Sequence, residues 1–239
     1  MKLCLRILPL LFLVSCATKY ILPGNRFITP ETQGGLFESQ FEVQQTSATR
    51  LNIDGSSGSL DDGVIYNKSK RTGYLFSTSL LDMVDFYWSH AGSANSMLGA
   101  KVQLLGGSRL SKSAGHKFAL SAAFGGNEHE LSGDPKIKFK LAGNDVALIH
   151  GYRFNEFFMI YDSLSYSRYK FDGKVSSSNP TFNGGRPGYA TKLYGAHLGT
   201  ELSFGPLFGK LEYGYQMIDT NSTKKRMASV FGYSVGFSW

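Results

Sequence analysis

The chain ends Val230-Phe231-Gly232-Tyr233-Ser234-Val235-Gly236-Phe237-Ser238-Trp239, and this stretch decides the fold. Successive side chains of a strand point to opposite faces, so Phe231, Tyr233, Val235, Phe237 and Trp239 share one face and Gly232, Ser234, Gly236 and Ser238 the other. On the edge of a water-soluble sheet, a face of five large apolar groups would be a template for aggregation. A wall between lipid and a crowded interior needs this division: bulk outward, small residues inward, aromatics at the membrane interface.

Working back from that end, period-two alternation recurs in segments of about ten residues bounded by Gly, Asn, Asp or Ser, as a transmembrane barrel strand requires. Ten such segments are expected: 36–46, 72–81, 84–90, 96–106, 117–126, 136–151, 157–170, 191–204, 207–218 and 228–239. In the first, Phe37, Phe41 and Val43 oppose Glu38, Gln40, Glu42 and Gln44; in the fourth, Leu98, Ala100, Val102 and Leu104 oppose Lys101 and Gln103. The fifth alternates Phe118, Leu120, Ala122 and Phe124 with small residues. In 136–151, Ile137, Phe139 and Leu141 share one parity and Val146 and Leu148 the other, so a bulge at Gly143-Asn144-Asp145 is expected to switch the facing. In 157–170 the run Phe157-Phe158-Met159-Ile160 is apolar throughout and Asp162 interrupts a face, which leaves the register open.

The predicted fold class is therefore all-β: a transmembrane antiparallel β-barrel of about ten strands over residues 35–239. Tight connections at 82–83 and 205–206 and long ones at 47–71 and 171–190 alternate as periplasmic turns and outer loops do, apart from an oversized turn at 107–116. An even strand count returns the C-terminus to the side of the N-terminus, so both termini are expected in the periplasm, with the last strand closing against the one that starts near Leu36.

The C-terminal pattern resembles the assembly signal of outer-membrane proteins, which ends on an aromatic residue preceded by alternating hydrophobics. The resemblance implies that Phe231, Tyr233, Val235, Phe237 and Trp239 are read by the barrel-assembly machinery, and that the protein's other partner is outer-membrane lipid. At the other terminus, Lys2 and Arg6 precede an apolar stretch from Ile7 to Val14 that is too short to span a bilayer, the pattern of a secretory signal over residues 1–15. Leu13-Val14-Ser15-Cys16 resembles the lipobox of bacterial lipoproteins, which implies acylation of Cys16. Ala17 stands where that family often carries an inner-membrane retention Asp. An ordinary cleaved signal that happens to contain a Cys is the alternative. Residues 16–34, with Pro23, Pro30 and Gly34-Gly35 and no periodicity, are expected as a lipid-anchored periplasmic tether or a short plug.

Composition closes off other classes. No apolar run outside the N-terminus approaches the 18 to 20 residues of a spanning helix, on the order of the bilayer's thickness. Thirteen Tyr, 18 Phe and 28 Gly against 7 Pro favour strands and tight turns. The net charge of +7 falls to 7 − 2 = +5 without Lys2 and Arg6, and the cations are scattered rather than gathered into a stripe, so no nucleic-acid partner is expected. With Cys4 inside the signal and Cys16 acylated, no disulfide is expected.

If the apolar faces meet lipid, the lumen receives Glu38, Glu42, Asp85, Lys101, Lys138, Lys140, His197, Glu201, Lys210 and Glu212. A barrel of this size is only slightly wider than one filled by its own side chains, and unpaired charge there is costly, so a salt-bridged interior is favoured over a small pore lined by the same residues. The function expected is a non-enzymatic barrel with a structural or small-pore role, or alternatively a surface-interaction or adhesion barrel acting through the loops at 47–71 and 171–190, with the external partner unknown. Ten strands is also the architecture of the omptin proteases, and His90 and His129, with Asp61, Asp62, Glu128 and Glu130, are candidate groups for a rim hydrolase. No motif here matches the omptin pattern residue by residue, and no catalytic, cofactor or metal site is expected. The five His residues lack zinc spacing, and Asp54 to Asp62 lacks a calcium-ligand ladder.

Overall fold

In a computed structural model, which describes residues 19–52, 65–91, 96–131, 136–176, 188–220 and 225–239, the alternating segments form one closed wall. In chain order the strands are β1 (Lys19–Pro23), β2 (Ser39–Asn52), β3 (Ile65–Leu81), β4 (Val84–Ala91), β5 (Ser96–Leu105), β6 (Gly115–Leu131), β7 (Lys136–Arg153), β8 (Phe158–Ser176), β9 (Gly188–Phe204), β10 (Leu207–Thr220) and β11 (Arg226–Ser238). Every neighbour pair from β2 to β11 is antiparallel, and β11 pairs with β2 from Gly232↔Thr46 to Ser238↔Gln40, which closes a ten-stranded antiparallel barrel. Residues 1–18, including the expected signal and Cys16, lie outside the described residues, as do Asp61 and Asp62.

The wall has a lower end, with connections at 82–83, 106–114, 154–157 and 205–206, and an upper end formed by the opposite ends of the strands. Gly205-Pro206 shows why the lower turns are tight. Gly205 takes φ +62° at the first central position, which a two-residue turn with the twist of its flanking strands demands, and proline's fixed φ suits the second. The strands of β6 to β9 are 17, 18, 19 and 17 residues long, well beyond the roughly 9–11 residues that cross a bilayer, so their upper halves rise above the apolar band.

Several expectations need correction. The register across 143–145 is unbroken on both sides, with Gly143↔Tyr169, Asn144↔Arg168 and Asp145↔Ser167, so there is no bulge. Leu141 is buried in the lumen, and Lys138 and Lys140 point outward and are exposed. They do not join the lumen, because they share the outward parity of Val146 and Leu148 on the part of this strand that rises above the apolar band. In β8 the odd positions, from Met159 to Tyr169, point inward. Asp162 therefore lies on the outer face, where His150 Nδ1 meets it at 2.9 Å and His116 Nδ1 meets His150 Nε2 at 3.1 Å. Phe37, expected in the first strand, instead takes φ +64° just below it.

The largest difference concerns the N-terminal segment. β1 runs antiparallel to the upper part of β2, from Lys19↔Asn52 to Pro23↔Ala48, above the point where β11 stops pairing with it. The chain then turns inward at Gly24, descends the lumen to Gly35 and joins β2 at the lower end. Of the two forms expected for this stretch, residues 24–35 take the plug and not the tether. Lys19, the first described residue, and Trp239 consequently stand at opposite ends of the barrel.

Candidate functional site: the plugged lumen

The lumen is built from inward-facing positions of all ten wall strands, the plug, and one side chain from the 106–114 turn. Its upper layer is apolar: Leu22 packs among Tyr87, Met97, Leu141, Tyr169, Leu193 and Ile218. Immediately below, the Gly24 carbonyl accepts from His197 Nε2 at 3.0 Å and from Gln216 Nε2 at 2.7 Å. The geometry makes Nε2 the protonated nitrogen of His197, since a carbonyl can only accept.

At the next level the Glu212 carboxylate takes the backbone N–H groups of Arg26 at 2.9 Å and Phe27 at 3.0 Å and the Tyr161 hydroxyl at 3.3 Å. Asn25 Nδ2 bonds the Glu212 carbonyl at 3.1 Å, and Lys210 Nζ bonds the Phe27 carbonyl at 2.7 Å and Glu42 at 2.6 Å. The Arg26 guanidinium forks onto both carboxylate oxygens of Asp145 and reaches Ser167 Oγ at 2.7 Å. Small inward residues make this approach feasible. A Cβ on Gly232 would lie 2.6 Å from Phe27 Cζ and 2.8 Å from Asn25 Oδ1, and one on Gly199 would lie 2.3 Å from Tyr161 Cζ.

Glu31 is the pivot of the lower lumen and is fully buried. Its two oxygens take Arg153 Nε at 2.7 Å and Nη2 at 2.5 Å, a bidentate fork, with Lys117 Nζ at 3.5 Å. Its backbone carbonyl accepts from Lys101, which also pairs with Asp85 at 3.1 Å. Glu201 closes the cluster, at 3.1 Å from Arg153 and paired with Arg109. Thr32 N bonds Gln103 Oε1 at 2.8 Å, Gln33 N bonds Asp85 at 3.1 Å, and Gly35 N bonds Asp82 Oδ1 at 2.9 Å.

The oversized lower turn now has a physical reason. Arg109 N and Leu110 N donate to the carbonyls of Thr32 and Gln33 at 2.8 and 3.1 Å, so residues 106–114 fold under the plug and hold it.

Counted among the described residues, the network around the plug holds six cations (Arg26, Lys101, Arg109, Lys117, Arg153, Lys210) and six anions (Glu31, Glu42, Asp85, Asp145, Glu201, Glu212), with half-buried Arg71 inward on β3 and Glu38 at the lower mouth adding one of each sign. Charge is matched, and the matching depends on Arg26 and Glu31 from the plug. The space left beside Arg26, under Tyr87 and Met97, is about 60 Å³, enough for a few waters. A larger hollow of about 250 Å³ opens at the lower mouth below Arg109 and Arg153.

Of the ten residues expected in the lumen, Glu42, Asp85, Lys101, His197, Glu201, Lys210 and Glu212 are buried there, Glu38 lines the lower mouth, and Lys138 and Lys140 lie outside. Arg26, Glu31, Arg109, Lys117, Asp145 and Arg153 were missed. For Lys117, Asp145 and Arg153 a signal existed, since each has the parity opposite to the outward Leu120, Val146 and Leu148. Of the candidate rim residues, His90 and Glu128 have described side chains. His90 stacks on Trp88 with centroids 5.9 Å apart and meets Ser96 Oγ at 3.0 Å, Glu128 faces Lys140 at 3.4 Å, and the side chains of His129 and Glu130 lie outside the described set. Phe231, Tyr233, Val235, Phe237 and Trp239 all face outward and are 45–60% exposed.

No protein-family model matches the chain, and no curated protein sequence matches it. Among solved structures the chain is similar to Ail, the attachment invasion locus protein of Yersinia pestis, at 12% identity over 86% of this chain and 100% of that one, with a TM-score of 0.43. It is similar to Neisserial surface protein A at 12% identity over 84% and 95%, TM-score 0.40. It is also similar to the outer membrane protease OmpT from Escherichia coli at 10% identity over 86% and 94%, TM-score 0.42.

Proposed function

We propose that this chain is a non-enzymatic outer-membrane barrel sealed by its own N-terminal segment, with the lower end in the periplasm and the upper end at the cell surface. The charge-matched lumen around residues 24–35 carries the reading. A conducting pore needs continuous water and mobile countercharge, whereas here Glu31, Glu212 and Arg26 tie the plug to the wall on several sides. The membrane address rests on the band of large outward residues, such as Phe86, Leu98, Leu164, Leu198, Leu211 and Val235, which water would not tolerate as a continuous surface.

The C-terminal strand is the segment offered to the assembly machinery. Cys16 is the acylation site in this reading, and the position of Lys19 supports the outer leaflet for it. It precedes Lys19 by three residues, a reach of about 11 Å at most, so the acyl chains enter the membrane from the upper end, in the outer leaflet. Planar-bilayer recording tests the seal. The full chain should give no channel steps at either polarity, and a chain lacking residues 19–35 should conduct or leak; regular steps from the full chain would refute the proposal.

A surface-interaction role is a second reading, favoured by the height of β6 to β9 above the apolar band. Removal of residues 171–190 from a barrel that still folds should then abolish attachment of cells to a host surface, and unchanged attachment would sink it.

A further inference from the structure

A row of directly paired residues crosses the outer wall from apolar to basic. From β3 to β9 it reads Phe76, Trp88, Leu98, Phe124, Asn144, Arg168, Lys192. The row climbs as it goes: Phe76 stands 81 − 76 = 5 positions above the lower end of its strand and Lys192 stands 204 − 192 = 12.

Its apolar half is the upper rim of an outward groove of about 770 Å³. The floor is Ala100 and Ala122, paired with each other, and the adjoining Val146 pairs with Tyr166, which pairs with Tyr194. Small residues between Phe86, Leu98 and Phe124 leave the wall hollow there, although a wall facing ordinary fluid lipid has no need of a hollow.

Its basic half sets two cations opposite each other, Arg168 and Lys192, an arrangement that costs stability unless an anion lies between them. Lys170 stands one outward step above Arg168 and leans toward Asp172 at 3.7 Å, and Asp219 on β10 faces Lys192 from the other side without forming an ion pair to it within 4.0 Å. The Tyr166–Tyr194 ring pair, centroids 5.2 Å apart, lies directly beneath the cations, where interfacial aromatics belong.

We propose that this wall binds one phosphate-bearing lipid of the outer leaflet, its phosphate on Arg168 and Lys192 and an acyl chain descending along the Ala100–Ala122 groove. A headgroup at the high end and a groove leading down toward mid-membrane match the shape and polarity of an outer-leaflet lipid. The proposal rests on the outer-membrane reading above, and the two fail differently. A chain that does not enter bilayers at all removes that reading, whereas one that inserts but shows no lipid preference removes only this site.

The test titrates the refolded full chain in detergent with bisphosphorylated lipid A, with the same lipid dephosphorylated, and with inorganic phosphate. Two variants accompany it, Arg168→Gln with Lys192→Gln, and Ala122→Phe. Both sites face outward, and folding is checked by heat-modifiable gel mobility. At about a fivefold loss per cation, the double charge variant should bind lipid A about 30-fold more weakly. Dephosphorylation should produce a comparable loss on the parent chain, and Ala122→Phe should weaken binding at least several-fold while leaving the preference for phosphate. Equal affinity for the phosphorylated and bare lipids, an unchanged double variant, or full displacement by millimolar inorganic phosphate would each overturn the proposal.

Discussion

Replacing Glu31 with Ala should destabilise the barrel more than any other single change in the plug. The carboxylate is fully buried and forks onto Arg153 at 2.7 and 2.5 Å, with Lys117 at 3.5 Å. Deleting one partner of a buried pair costs about 3–5 kcal/mol, because the other charge stays desolvated. Arg153 keeps Glu201 at 3.1 Å, which places the cost near the low end, about 3 kcal/mol. Urea unfolding of the chain in lipid vesicles, followed by the fluorescence of Trp88 and Trp239, reads this directly. Pairing Glu31→Gln with Arg153→Met in one chain should cost less than the sum of the two alone, since both charges then leave together. A loss below about half a kcal/mol for Glu31→Ala, the size of an ordinary surface change, would refute the burial and pairing argued for the plug.

Other consequences follow from the same geometry. Gly199→Val should cost roughly 1–3 kcal/mol by overpacking, because its Cβ would meet Tyr161 Cζ at 2.3 Å, and Gly209→Val in the same assay should cost less, its nearest contact being 3.7 Å away. Val235→Arg should cost about 2–4 kcal/mol in a bilayer, and a cost near zero there would place this face in water. An epitope inserted between Cys16 and Lys19 should bind antibody on intact cells, while one appended after Trp239 should bind only after permeabilisation; the reverse pattern would invert the orientation.

How much of this could be read from the chain depends on where each residue's partner lies. β11 was legible from Ala228 onward, because Phe231 to Trp239 alternate without exception and both faces have a physical destination. Strand positions were legible for the same reason, including the short β4 between Val84 and Ala91. Lys138 and Lys140 were misplaced because polar parity means lumen only within the apolar band, and β7 continues past it at 18 residues. The plug was invisible beyond its lack of periodicity: Arg26 finds Asp145 at a separation of 119 residues and Glu31 finds Arg153 at 122, distances over which no local pattern can act. The length of the 106–114 turn was the one outward trace of the plug, since those extra residues are what hold it from below.

Amide hydrogen exchange of residues 24–35 in the folded, membrane-inserted chain tests the central claim most directly. The N–H groups of Asn25, Arg26, Phe27, Thr32, Gln33 and Gly35 are all bonded, to Thr46, Glu212, Gln103, Asp85 and Asp82, and all but that of Gly35 are shielded inside the barrel. Peptides covering 25–33 should exchange as slowly as peptides from the wall strands, opening only with the barrel itself. Exchange of those peptides within seconds, as for a tether in water, would contradict the threaded lumen.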